Sequence, residues 1–319
     1  MGASSREEEL QRMTHSLERP DQIFLFERLA GISVRKDVSA GRLTTMAAGA
    51  NVSAVIEPDS LEQLVKVVKA ARTLSVPLRV LGGGSNVVLP DERMSAAVLR
   101  LGKGFRTFEP LSSDGEFSIG ASMPLMSLSR ILSEEGYSGL EFAGGIPAWV
   151  GGATAMNAGA HGGEFGDRIT SVTWVRSNGE VERVEAGAVE FGYRSSRIPE
   201  GTIVVEVRIR LALSEREKTA AKRAEFLAER KKRQPLSEPS AGSVFRNPVG
   251  DRSAGQLLEE SGMKGQSVGE AFVSRLHANW IVNPSKSARQ EDIRQLMVSM
   301  ERAVEDKFGL RLHPEIKLW

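Results

Sequence analysis

Apolar residues recur along the chain with two periods, and the switches between them mark out the elements. Ser53 to Glu57 predicts a strand, and Pro58-Asp59-Ser60 predicts the capped start of a helix. That helix runs from Leu61 to Leu74, with Leu61, Leu64, Val65, Val68 and Ala71 on one face. Leu78 to Leu81 predicts the next strand, giving a βαβ unit. Ala96 to Leu101 and Glu116 to Ser122 read as further strands, followed by a helix from Pro124 to Glu135 that Gly136 closes. Two apolar runs, Val172 to Arg176 and Val181 to Val184, flank Asn178-Gly179 and predict a hairpin. Thr202 to Leu213 alternates as a long strand, and a basic helix from Ser214 to Arg233 ends at Gln234-Pro235, a candidate domain boundary. Beyond it the pattern predicts a helix over Ser253 to Ser261, a strand over His277 to Asn283, and a helix over Ser287 to Phe308. The last carries Ile293, Leu296, Met297, Met300 and Val304 on one side and is closed by Gly309. At the other end, Ile23 to Phe26 with Leu29 predict an amphipathic helix in an N-terminal arm.

Composition narrows the chemistry. The 319 residues are long enough for two domains or for three small α/β layers, and 40% hydrophobic with 26% charged suits a globular chain. A formal net charge of +1 argues against binding nucleic acid by phosphate neutralisation. The absence of cysteine excludes disulfides, a thiolate nucleophile and cysteine-held zinc or iron–sulfur sites. His15, His161, His277 and His313 lie too far apart in sequence to suggest a metal cluster, so no metal site is expected. No apolar run approaches the roughly 20 residues of a membrane span, and Met1 to Gln11 is polar and acidic where a signal peptide would be basic and then apolar. The expectation is a cytoplasmic protein without membrane insertion.

Glycine marks the candidate chemistry. In Gly82-Gly83-Gly84-Ser85-Asn86 the missing Cβ atoms would let backbone N–H groups crowd an anion such as a pyrophosphate. The loop fits neither a dinucleotide-binding βαβ fingerprint, since Pro90 follows where a helix should start, nor a P-loop, which needs Gly-Lys-Ser/Thr. An anion-binding loop and a plain glycine turn therefore both remain open. Gly139 to Glu164 is richer still in small residues, which predicts backbone lying flat against a large ligand, with Asn157 and Glu164 supplying polar contacts. Ser243, in Ser240-Ala241-Gly242-Ser243-Val244-Phe245-Arg246-Asn247-Pro248, reads as a tight turn entering a short strand. Its own surroundings do not separate it from an ordinary loop serine.

In chain order, Thr44-Thr45, Gly82 to Asn86, Gly139-Leu140-Glu141-Phe142 with Gly145-Ile146-Pro147, Met156 to Ala160, Tyr193-Arg194-x-Ser196, Ala241-Gly242-Ser243-x-Phe245-x-Asn247-Pro248, His277-Ala278-Asn279 and Pro314-Glu315 resemble the UDP-N-acetylenolpyruvoylglucosamine reductases. The resemblance covers the chain from about Thr44 to the C-terminus. It implies an α+β chain in which a two-part FAD-binding domain of the vanillyl-alcohol-oxidase (PCMH) type precedes a smaller α+β substrate-binding domain. The corresponding division is an N-terminal arm over 1–40, an FAD-binding domain over 41–213 with subdomains of about 41–110 and 111–213, and a substrate-binding domain over 214–319 whose C-terminal tail returns to the active site. It further implies non-covalent FAD, NADPH as reductant, and reduction of UDP-N-acetylglucosamine enolpyruvate to UDP-N-acetylmuramate for peptidoglycan. A monomer is expected.

Carried over by resemblance, Ser243 is the proton donor, with Arg194 and Glu315 at the substrate carboxylate. Thr45, Gly82, Gly83, Gly84, Ser85, Asn86, Gly145, Ile146, Gly151, Gly152, Asn157 and Gly159 are the implied cofactor contacts. Tyr193, Arg194, Asn247, His277 and Asn279 are the implied substrate contacts. The chemistry asks for these types independently. An arginine fork matches a carboxylate that accumulates charge, and a serine hydroxyl delivers a proton without resting charge. Glu315 would sit there protonated or paired with Arg194. The chain departs from the family at Ala50, Asn51, Ala148 and Trp149, the last two replacing a glycine and a hydroxyl residue of the flavin stretch. Only two tyrosines are present, which points to the shorter subtype without a tyrosine-bearing insertion. Two other readings remain: a flavin oxidase tethering FAD through His161, and a UDP-sugar binder without flavin.

Overall fold

The computed structural model describes residue 17 and residues 20–319; the polar N-terminus read over Met1 to Gln11 lies outside them. The described chain forms two compact units. The first comprises residues up to Val38, Val52–Gly82 and Met94–Phe226, and the second Ser39–Asn51, Gly83–Arg93 and Leu227–Trp319.

The first unit is built on two larger sheets. A four-stranded sheet has β1 (Val34–Val38), β2 (Val52–Ile56) and β3 (Leu78–Val80), with β4 (Ala97–Leu99) lying between β2 and β3 and parallel to both. The predicted βαβ unit is therefore present, with a later strand inserted at its centre. A five-stranded antiparallel sheet contains β5 (Phe108–Pro110), β6 (Glu116–Gly120), β7 (Ile169–Val175), β8 (Val181–Glu185) and β9 (Ile203–Arg210), in the order β8-β7-β9-β6-β5. The Asn178-Gly179 turn joins β7 to β8 with Gly179 at φ 86°, which glycine adopts without strain.

Helix α1 (Pro20–Ala30) buries Ile23, Phe26 and Ala30 in the same core as α2 (Leu61–Thr73), capped by Ser60, whose hydroxyl accepts from Gln63 N–H. The buried face of α2 is Leu64, Val67, Val68, Ala70 and Ala71, and Leu61, expected on that face, is 40% exposed. Helix α3 (Leu125–Glu134) and the short α4 (Val150–Ala155) add Leu125, Leu128, Val150 and Ala153 to this core. The glycine-rich stretch is partly helical, with Val150, Ala153 and Thr154 burying one face of α4.

Helix α5 (Arg216–Arg233) runs from the first unit into the second. The second unit has an antiparallel sheet of β10 (Ser240–Ser243), β11 (Ser267–Val268), β12 (Ala271–Val273) and β13 (Trp280–Val282), ordered β10-β13-β12-β11. Its core joins Phe245, Ile281 and Val273 to α6 (Ala254–Glu260) and α7 (Gln290–Phe308). All five residues expected on the apolar face of α7 are buried, and Gly309 ends the helix at φ 65°.

Two local expectations are corrected. Ser243 closes a strand instead of entering one: β10 pairs Ser240 with Val282 and Ser243 with Trp280, three steps against two, so it carries a one-residue bulge with Gly242 at φ 84°. His277 and Ala278 precede β13 in a turn closed by Trp280 N–H to the His277 carbonyl (3.1 Å).

Candidate active site

The first unit contains a cavity of about 160 Å³, lined by Leu81, Gly82, Trp149, Gly152, Ile198 and Val204 among others. Glycine has different causes at its rim. A Cβ on Gly151 would lie 3.0 Å from Ala121 Cβ, so close packing requires it. A Cβ on Gly152 would meet nothing within 4 Å, and one on Gly82 only ordinary contacts at 3.8 Å or more. The fold leaves open space before Gly152 and does not itself require glycine at either position. A slot with glycine backbone on one side and apolar side chains on the other fits part of a flavin dinucleotide. Gly145 and Ile146 end the neighbouring 3₁₀ turn, with Ile146 N–H bonded to the Ala143 carbonyl at 3.1 Å.

Further along, the buried Asn157 (φ 42°) is committed to the protein on every side. Its amide donates to Glu164 (2.7 Å) and to the Gly192 carbonyl (2.9 Å), and its oxygen accepts from Gly166 N–H (2.8 Å). This ties the loop bearing Arg194 to the Gly159–Glu164 hairpin. Gly192 and Ser195 exchange backbone hydrogen bonds of 3.0 and 3.1 Å, which forces Arg194 to φ 53° at the tip. A left-handed arginine costs on the order of 1–3 kcal/mol, and such strain concentrates where a side chain must be aimed. Arg194 stacks its guanidinium over Tyr193 at 5.3 Å, and a Cβ on Gly159 would stand 2.9 Å from Arg194 Nη1. The fold itself keeps Gly159 bare, because the same Cβ would fall 2.6 Å from the Gly163 carbonyl oxygen. His161, the residue considered for a flavin tether, is exposed and stacks on Phe226 with ring centroids 4.2 Å apart.

The second unit assembles the remaining candidates. Thr45 Oγ1 donates to the Ser240 carbonyl (2.6 Å), Thr45 N–H donates to Gly84 (3.1 Å), and Ser240 N–H donates to Thr45 (3.2 Å). This stitches the loop Gly83 to Asn86 to the strand that carries Ser243. Gly84 is demanded by the fold: φ is 67°, and a Cβ would fall 2.0 Å from the Leu43 carbonyl oxygen. Ser85 borders the same strand, its carbonyl 4.0 Å from where a Gly242 Cβ would be. From the opposite end of the chain, Glu315 N–H donates to the Val244 carbonyl (2.7 Å), and the Asn86 amide donates to the Glu315 carbonyl (3.1 Å). The parallel pairing of Lys317–Leu318 with Val87–Val88 completes the clasp. Ser243, Asn86 and Glu315 thus share one backbone frame.

The expected substrate contacts here have structural work as well. Asn279, buried, accepts from Phe245 N–H (3.0 Å) and donates to the Phe245 carbonyl (2.8 Å), fixing the chain two residues after Ser243. Asn247 accepts from Ala254 N–H at the start of α6 (3.1 Å). His277 Nδ1 accepts from Asn279 N–H (3.2 Å); burial, then the Lys264 cation, hold its pKa below the ordinary 6.5. A cleft of about 1,020 Å³ in this unit is lined by Lys231, Gln234, Glu238, Phe272 and Arg275 among others. Sequence reasoning passed over Asn283, which is fully buried and joins Met46 to Ala288 through bonds of 3.0 Å each. Its position at the end of an apolar run was the one available signal.

Residues 52–185 match a family described as FAD binding domain, and residues 234–319 match the C-terminal domain of UDP-N-acetylenolpyruvoylglucosamine reductase. UDP-N-acetylenolpyruvoylglucosamine reductase 2 of Symbiobacterium thermophilum is 37% identical over 289 residues, 90% of this chain and 92% of that protein. The reductase of Heliobacterium modesticaldum is 38% identical over 278 residues, 87% and 88% of the two chains. The crystal structure of the Thermus caldophilus reductase (MurB) superposes with a TM-score of 0.78 at 35% identity, covering 90% of this chain and 99% of that one. With both halves matched and the similarity running through nearly its whole length, the chain belongs to the UDP-N-acetylenolpyruvoylglucosamine reductase family, an α+β fold built on an FAD-binding domain.

Proposed function

We propose that Ser243, Arg194 and Glu315 are the residues of this chain that act on the reacting end of the substrate. The enzyme is an FAD-containing, NADPH-dependent oxidoreductase that reduces UDP-N-acetylglucosamine enolpyruvate to UDP-N-acetylmuramate. We assign flavin binding to residues 41–213, with Gly82 and Gly152 on the dinucleotide, and substrate binding to residues 214–319. A monomeric, cytoplasmic enzyme is part of the same reading; among the described residues no helix is long and apolar enough to cross a membrane.

Bound FAD, once reduced by NADPH, supplies the hydride for the enolpyruvyl double bond. Reduction pushes negative charge toward the substrate carboxylate, and Arg194 offers that carboxylate two parallel donors. Its left-handed tip conformation and its stack on Tyr193 hold the fork in place before substrate arrives. Ser243 Oγ–H gives its proton to the neighbouring carbon and recovers one from solvent. The bulge at Gly242 sets the direction of that hydroxyl, and the Asn279 clamp on Phe245 keeps it there. Glu315 is held next to the serine strand through its backbone, by Val244 and Asn86, and its carboxyl group is the one we assign to the substrate carboxylate.

The observation that carries this reading is the clasp of Asn86, Val244 and Glu315, which draws a glycine loop, a serine strand and the C-terminal tail together. Purified protein should be yellow and should oxidise NADPH rapidly only when the enolpyruvyl UDP-sugar is added. Colourless protein, or NADPH oxidation indifferent to that sugar, would remove the reading.

A further inference from the structure

Arg100 follows β4 at the rim of the flavin slot, next to Leu101, which lines it. Its side chain is only 14% exposed and its ion pair with Glu57 is long, at 3.9 Å. The Nε atom is buried without a hydrogen bond. Burial lowers its pKa, so this cation has been withdrawn from water for little ionic return. What it meets instead is an aromatic face: the guanidinium carbon stands 4.8 Å from the centroid of Trp149. Attraction between a guanidinium and indole is strongest where both are desolvated.

Trp149 is the one aromatic side chain among the described residues that line the slot. Its backbone is fixed independently: its carbonyl accepts from Ala153 N–H at 2.8 Å, and it bridges to Pro124. The remaining freedom is rotation of the indole, and Arg100 opposes it. We propose that Trp149 is the aromatic wall against which a planar ring of FAD packs, and that Arg100 is a positioning residue that holds this wall at the angle the ring requires. The proposal rests on the flavin reading of the slot.

The test uses apoprotein prepared from the full chain and titrated with FAD. Trp149→Ala should weaken FAD binding by about tenfold or more, the scale of a lost aromatic stack. Arg100→Met, which keeps the aliphatic stem, should weaken it by about threefold to fivefold, and Arg100→Lys should restore most of that loss. Melting midpoints of the apoproteins report whether each variant folds. In addition, the parent labelled with 5-fluorotryptophan should show a fluorine resonance, assigned through Trp149→Phe, that shifts on adding FAD and broadens in Arg100→Met. Parental FAD affinity in folded Trp149→Ala, or a Trp149 resonance indifferent to FAD, would overturn the wall. Lysine failing to rescue, or methionine leaving the resonance sharp, would overturn the role of Arg100. Parent protein that takes up no FAD at all would instead fail the flavin reading itself.

Discussion

At the residue scale the site is set by asparagines more than by its reactive groups. Asn279 satisfies both backbone groups of Phe245, Asn157 joins the Glu164–Gly166 stretch to Gly192, and Asn86 holds the tail residue Glu315. Replacing Asn279 with alanine orphans a buried N–H and a buried carbonyl together, at a cost of about 2–4 kcal/mol. Urea unfolding of Asn279→Ala should therefore show a clearly lower midpoint, and an unchanged midpoint would mean the clamp is dispensable. The sequence made Asn279 visible only through a family pattern and Asn157 also through its glycine-rich surroundings, and both were expected on ligands. Nothing local distinguishes an asparagine that binds substrate from one that binds its own chain, because both need the same amide. The glycines divide in the same way: Gly84 and Gly242 answer to φ, Gly159 to the Gly163 carbonyl packed against it, and Gly152 to no contact of the fold.

At the scale of elements, periodicity located the helices and strands well. The five apolar positions of α7 and its terminating Gly309 emerged as read, because a long amphipathic face and a left-handed stop are both written locally. The bulge in β10 was not legible, although a glycine within a strand is the usual trace of one. It depends on the register against β13, which is a long-range fact. Helix α6 starts with a full capping box, in which Ser253 accepts from Gln256 N–H (3.2 Å) and Gln256 accepts from Ser253 N–H (2.8 Å). Ser253→Ala should cost about 1 kcal/mol in the same unfolding experiment, and a loss below a few tenths would show the box to be idle.

At the scale of the whole molecule, each compact unit is assembled from separated pieces of chain, and that is what sequence reading could not supply. Gly83–Arg93 belongs with residues after 226, and the final strand Lys317–Leu318 pairs with Val87–Val88. The resemblance anticipated a returning tail; the contacts it makes come from the structure. Deleting Lys317–Trp319 removes the bonds from Lys317 N–H to Asn86 (2.9 Å) and from Trp319 N–H to Val88 (3.1 Å). It should lower stability by about 1–3 kcal/mol and reduce turnover while Glu315 remains in the chain. Parental turnover in that truncated protein would show that the clasp does not position the site. The most direct test of the account separates the two half-reactions of Ser243→Ala by stopped-flow spectroscopy. NADPH should bleach the flavin at the parental rate, and reoxidation by the enolpyruvyl UDP-sugar should fall by about 10²–10⁴-fold. Reoxidation at the parental rate would place the proton donor elsewhere and contradict the account.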